Sequence, residues 1–149
     1  MIFRRKFIKK VLSVLLTAFF VVSISAVPAA AEDRNKVSIE YMEDGSYFVT
    51  TIVEGNSLTR ASRSGSKFTS YYDGSGTKKW TLTVTGSFNY TGSSSMATSA
   101  SGNLVTHVSG CSVGSKGSYT SGNAATAYAT VDGISKSVTL KCSVSGVLS

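Results

Sequence analysis

Proline and histidine are nearly missing from this chain: each occurs once, at Pro28 and His107. A single histidine excludes His-rich zinc sites and paired-imidazole mechanisms. Cysteine is limited to Cys111 and Cys142. A thiol–imidazole pair from His107 and Cys111 fails on distance, because four residues along a strand span about 13 Å. Carboxylates are scarce as well, eight in all. Three of them, Asp44, Asp73 and Asp132, precede glycine, where aspartate ordinarily shapes a turn. Glu40, Glu43 and Glu54 are left to supply a glycosidase pair, but no spacing selects two carboxyls facing each other across a cleft. Residues 73–78 (DGSGTK) lack the Gly-Lys-Ser/Thr ending of a phosphate loop and run into a strand rather than a helix. They also lack the repeated carboxylates of a calcium loop. The residues therefore point to a non-enzymatic protein with no catalytic, cofactor-binding or metal-binding set.

A long apolar run occurs only at the start. Arg4, Arg5, Lys6, Lys9 and Lys10 form a positive head, residues 11–27 are apolar, and Ala29, Ala30 and Ala31 give a small-residue cut site. This is the anatomy of a secretory signal over residues 1–31, with cleavage expected between Ala31 and Glu32. An uncleaved anchor is the rival, since about 17 apolar residues is the lower limit for a span. Ser13, Thr17, Ser23 and Ser25 dilute the run, and Pro28 with the alanines favours processing. The expected location is extracellular. No stable membrane anchor is expected after cleavage, because neither a lipid-accepting cysteine nor a hydrophobic tail follows.

Removing that segment changes the charge. Five of the fifteen Lys and Arg belong to the head, leaving ten against eight acidic residues. Nucleic-acid binding needs clustered cations on a folded face. Arg60, Arg63 and Lys67, with Lys78 and Lys79, are the only local concentration and read as a solvated loop and strand end. No nucleic-acid partner is expected.

What the chain does have is Ser, Thr, Gly, Val and Tyr, the mixture of short strands and tight turns. Residues 32–36 read as a flexible start and 37–149 as one domain, long enough to bury a core. The clearest strand is residues 78–90. There Trp80, Leu82, Val84, Phe88 and Tyr90 share one parity, and Lys79, Thr81, Thr83, Thr85 and Ser87 the other. Gly86 interrupts the apolar row and suggests a bend or bulge. Upstream, residues 37–41 and 47–53 form an expected hairpin about Asp44-Gly45. Residues 55–65 read as a loop before a short strand at 66–72. Downstream the pattern weakens, with 104–108 the best strand between 96 and 122. Residues 124–131 and 134–144 then form a hairpin about Asp132-Gly133, with Val138, Leu140, Cys142 and Val144 on one face.

Six to eight such strands predict an all-β, antiparallel sandwich, with an Ig-like fold or small barrel as variants. Its expected core is Trp80, Leu82, Val84 and Phe88 against Val138, Leu140 and Val144. Two cysteines in an exported chain predict a Cys111–Cys142 disulfide, with a buried free thiol at Cys142 the alternative. Tyr71, Tyr72 and Tyr90 are candidate ligand aromatics, since exposed rings suit sugars; packing within the sheet is the competing reading. The threonine row at 81, 83 and 85 is a further candidate contact face.

Residues 80–90 (WTLTVTGSFNY), 121–127 (SGNAATA) and 138–146 (VTLKCSVSG) resemble a recurring pattern in small exported β-rich proteins of clostridia-like Gram-positive bacteria. The resemblance covers most of residues 66–149. That family is uncharacterised, so it implies export and a β domain but transfers no activity and no functional residue. The expected function is extracellular binding of a glycan or cell-envelope component. A bacteriocin-like or toxin effector is the alternative, and a glycan hydrolase the third.

Overall fold

A computed structural model describes residues 36–55 and 61–149. The expected signal, its cut between Ala31 and Glu32, and all of the expected flexible start except Lys36 lie outside the described residues. Eight strands follow one another: β1 (Val37–Tyr41), β2 (Tyr47–Glu54), β3 (Ser62–Tyr72), β4 (Lys78–Tyr90), β5 (Ser95–Thr106), β6 (Val113–Ser121), β7 (Ala124–Val131) and β8 (Ile134–Lys141). Strands β1 to β5 form one sheet in chain order and β6 to β8 a second. Every pairing is antiparallel. The result is the expected sandwich. Its order is sequential in both sheets, without the crossed Greek-key connection of an Ig fold.

Strand β4 sits inside its sheet, between β3 and β5, and its period-2 pattern becomes burial directly. Trp80, Leu82, Val84 and Phe88 are at most 1% exposed. Trp80 anchors an aromatic cluster with Phe48 and Tyr71, ring centroids 5.2 to 5.7 Å apart. The facing sheet supplies small residues. Ala125, Ala127, Ala129 and Val131 of β7 alternate inward and are buried, with Val138 and Leu140 of β8 beside them. Large side chains on β4 thus meet short ones on β7, so the two sheets can approach closely and interlock.

Gly86 follows from that closeness. It is regularly paired, to Gly65 on one side and Ala100 on the other, and β4 runs through it unbroken. A Cβ placed there would lie 2.8 Å from the Ala125 Cβ and 2.9 Å from the Phe88 ring. Only a residue without a side chain leaves room for β7. The expected bulge falls one step away, where the register shifts between Ser87 and Phe88. Phe88 pairs with Ala97 and Ser87 with Ser99, so the extra residue is Thr98 on β5. The expected last hairpin is present, and its turn holds Asp132 at φ +50° and Gly133 at φ +77°, the pair of positive values that a two-residue turn of this hand requires.

Two core expectations are corrected. Val144 is 44% exposed, because β8 ends at Lys141 and the chain turns at Ser143–Gly146, where Gly146 N–H donates to Ser143 O at 3.0 Å. Parity does not carry through a turn, and Leu148, paired to Cys142, takes the buried place. The Cys111–Cys142 disulfide is absent, and both thiols are free. Cys142 N–H donates to Asn123 O just before β7 begins, whereas Ser112, next to Cys111, binds Asp132 just after β7 ends. The length of β7, about 23 Å at 3.3 Å per step, separates two residues whose Cα atoms need to be within about 7 Å. Cys142 is buried, as the alternative reading had it.

Candidate functional site

The sheets are unequal, and the site follows from that. Most contacts with the three-stranded sheet come from β3, β4 and β5, so the inner face of the larger sheet continues past β8 with only thin cover. A groove of about 520 Å³ opens there. Its floor is Ser38, Thr50, Lys67 and Thr69 on β1, β2 and β3, and its wall is residues 136–139 with Lys141 and Ser149. Register explains the floor: Ser38, Thr50 and Thr69 are successive cross-strand partners, and Thr69 continues to Leu82 of the core. Beyond Leu82 the inner face passes from apolar to hydroxyl, from buried Thr69 through half-buried Thr50 to exposed Ser38. The Thr50 and Thr69 hydroxyls bond to each other at 2.6 Å.

Three lysines converge on this groove with different partners. Lys136 Nζ donates to Glu40 Oε2 at 2.7 Å and lies 4.2 Å from the centroid of the Phe48 ring. It clips β8 to the far edge of the larger sheet. Lys67 and Lys141 have no ion pair among the described residues. Lys67 sits between Ile52 and Val84 in the register, a place where the alternation would put an apolar side chain. Burial, and then the charge of Lys141, push its pKa below the usual 10.5.

The sequence reading took Arg60, Arg63 and Lys67 as a solvated loop and strand end, with 55–65 a loop before the strand at 66–72, and this is corrected. The strand begins at Ser62, before the expected start, and Arg63 forms an ion pair with Glu54. Arg60 lies outside the described residues. Neither the groove nor its lysines were visible as a pattern, because nothing in one chain's alternation says where the opposite sheet stops.

The candidate ligand tyrosines separate. Tyr71 is buried against Phe48 and Trp80 and belongs to the core. Its neighbour Tyr72 points to the opposite, outer face, as consecutive strand residues must. There it joins a row that the sequence reading did not assemble: Tyr72 stacks on Tyr47 at 4.9 Å and 4°, and Tyr47 meets Tyr41 at 5.5 Å. Stacked rings spend their faces on each other and offer edges to solvent, a poor platform for a sugar ring. Tyr90 is half-buried, and its ring closes against Gly146. None of the three forms a shared ligand surface.

The remaining candidates are structural. Asp44 Oδ1 accepts from Ser46 N–H at 3.0 Å, and Asp73 Oδ1 from Ser75 and Thr77 N–H at 3.0 and 2.9 Å. The Ser46 and Ser75 hydroxyls, followed by these amides, hold both carboxyls below 3.8. The threonine row is tied to β3, Thr81 to Ser70 and Thr85 to Ser66, both at 2.9 Å. His107 Nε2 bonds Thr81 Oγ1 at 2.9 Å. Cys111 has its pKa raised, by desolvation first and by Asp132 second, which makes it a sluggish nucleophile. Among the described residues no group of three or more His, Cys, Asp or Glu is placed to hold a metal, and no helix is long and apolar enough to cross a membrane.

No protein-family model, no curated protein and no solved structure matches this chain.

Proposed function

We propose that this is an exported, non-enzymatic binding module that works outside the cell on a glycan or another envelope component, of the same kind as the small exported β-rich proteins its strands resemble. The observation that carries the reading is the hydroxyl-lined groove beside β8. Ser38 and Thr50 on the floor, with Ser137 and Thr139 along the edge of β8, put donors and acceptors on rigid elements, which is what polyhydroxylated ligands require. Export rests on the charged, apolar and small-residue segments of residues 1–31.

Retention on isolated cell walls and on immobilised glycans tests the proposal. Binding that is lost on Thr50→Val, with folding preserved by circular dichroism, is the expected result. No retention on any envelope fraction, together with killing of neighbouring strains, would replace the binding module with a toxin effector.

A further inference from the structure

We infer that the groove beside β8 takes an oxyanion carried on a hydroxyl-rich polymer, with Lys67 and Lys141 holding the charge. The inference rests on the binding reading above and specifies its ligand. Lys136, the third lysine, is already neutralised by Glu40. Lys67 and Lys141 lack such a carboxylate among the described residues, and they sit close enough to repel. Two like charges on one groove, one of them in an apolar register position between Ile52 and Val84, work against folding. Residues that cost stability without a structural return mark sites used for something else.

The edge of β8 adds donors of the right kind. Lys141 N–H and C=O both bond Ser149, so its backbone groups point away from β7. In an antiparallel edge strand that direction alternates, and Ser137 and Thr139 share the parity of Lys141. Their amides therefore run along the groove wall, facing the Ser38 and Thr50 hydroxyls of the floor. Backbone amides, hydroxyls and compact ammonium groups together suit an oxyanion with neighbouring hydroxyls.

The lining also argues against nucleic acid, the other common polyanion. Single-stranded nucleic acid is held by rings on which bases stack, and no aromatic residue lines this groove. The oxyanion can be a phosphodiester or a uronate carboxylate, and the test separates them.

Equilibrium binding of the purified protein is measured by calorimetry to poly(glycerol phosphate), polygalacturonate, a neutral glucan and an oligothymidylate, at low and raised salt. Variants are Lys67→Met, Lys67→Gln, Lys141→Met and, on β6 outside the groove, Lys116→Met. Wild type is expected to bind one or both anionic polymers; which of the two names the source of the charge. Lys67→Met and Lys141→Met should each weaken that binding about tenfold or more and lower the salt slope by about one. Lys116→Met should leave it unchanged. Lys67→Met should melt no lower than wild type, so that lost binding is not lost folding; Lys67→Gln checks the same loss with a polar replacement.

Equal losses in the Lys67 and Lys116 variants, undiminished binding in Lys67→Met, or oligothymidylate binding as tight as either polymer would each overturn the inference. Retention on neutral glucan with no effect of Lys67→Met would overturn it while leaving the binding module standing. Failure to bind any polymer or envelope fraction would remove both.

Discussion

Gly86→Ala is the most direct probe of how closely the two sheets meet. The added carbon would sit 2.8 Å from the Ala125 Cβ and 2.9 Å from the Phe88 ring, against a comfortable carbon–carbon separation of about 3.5 to 4.0 Å. Ala125 is fixed to its backbone, so relief requires β7 to retreat or Phe88 to leave its rotamer. Overpacking of this kind costs about 1 to 3 kcal/mol. Alanine recovers about 0.5 to 1 kcal/mol through its smaller loss of backbone entropy, leaving a net loss of up to about 2.5 kcal/mol, centred on about 1 kcal/mol because Ala125 cannot move aside. For a domain of this size that lowers the melting midpoint by about 4 to 8 °C. Urea unfolding with an unchanged m-value would show that stability, not the denatured state, has changed. Ala125→Gly in the same chain removes the nearest obstacle. The double variant should therefore be more stable than the sum of the single effects predicts, by about 0.5 kcal/mol or more. A Gly86→Ala protein that melts at or above wild type, or a double variant that is simply additive, would refute close contact at this point.

Other expectations follow from the same packing. Trp80→Ala empties the centre of the Phe48–Tyr71–Trp80 cluster and should cost about 3 to 5 kcal/mol, read from urea unfolding; an unchanged midpoint would put the indole on the surface. In the native protein a thiol reagent should label Cys111 slowly and Cys142 only after denaturation, and intact mass should show no bonded form. Asp73 has a depressed folded pKa, so its contribution to stability is complete above the ordinary 3.8 and disappears as pH falls through the lower folded value. Ser75→Ala removes the largest cause, and NMR titration should find the Asp73 carboxyl moved back up toward 3.8; an unmoved titration would shift the cause to the backbone amides.

What was legible in the sequence is what alternates without interruption. Strand β4, the β1–β2 hairpin and the β7–β8 hairpin each keep one parity and end at a marked turn. Strand β5 was seen only near Leu104, because the extra residue at Thr98 switches the inward set from Ala97 to Ala100, Gly102 and Leu104. Strand β6 was missed for a different reason: it is an edge strand of mostly small, exposed residues, and Gly117 is needed beneath the Tyr128 ring. Between Tyr71 and Tyr72 the alternation guarantees one buried and one outward ring, but not which. Cysteine pairing is a question of distance across the fold, which chain spacing does not report. The groove depends on five strands facing three, a property of the assembled sheets and not of any one segment.

The sequential strand order has a consequence in time. Each ladder joins chain neighbours, so the hairpins can close one after another on the microsecond scale typical of that event. Docking β6–β8 onto β3–β5 is the step that must bring distant segments together and bear the loop-closure entropy. The rate-limiting barrier should therefore lie at the meeting of two preformed meanders. Ala127, which faces Gly102 across that meeting, should govern the refolding rate, while Val49 in the β1–β2 hairpin should govern chiefly the rate of unfolding.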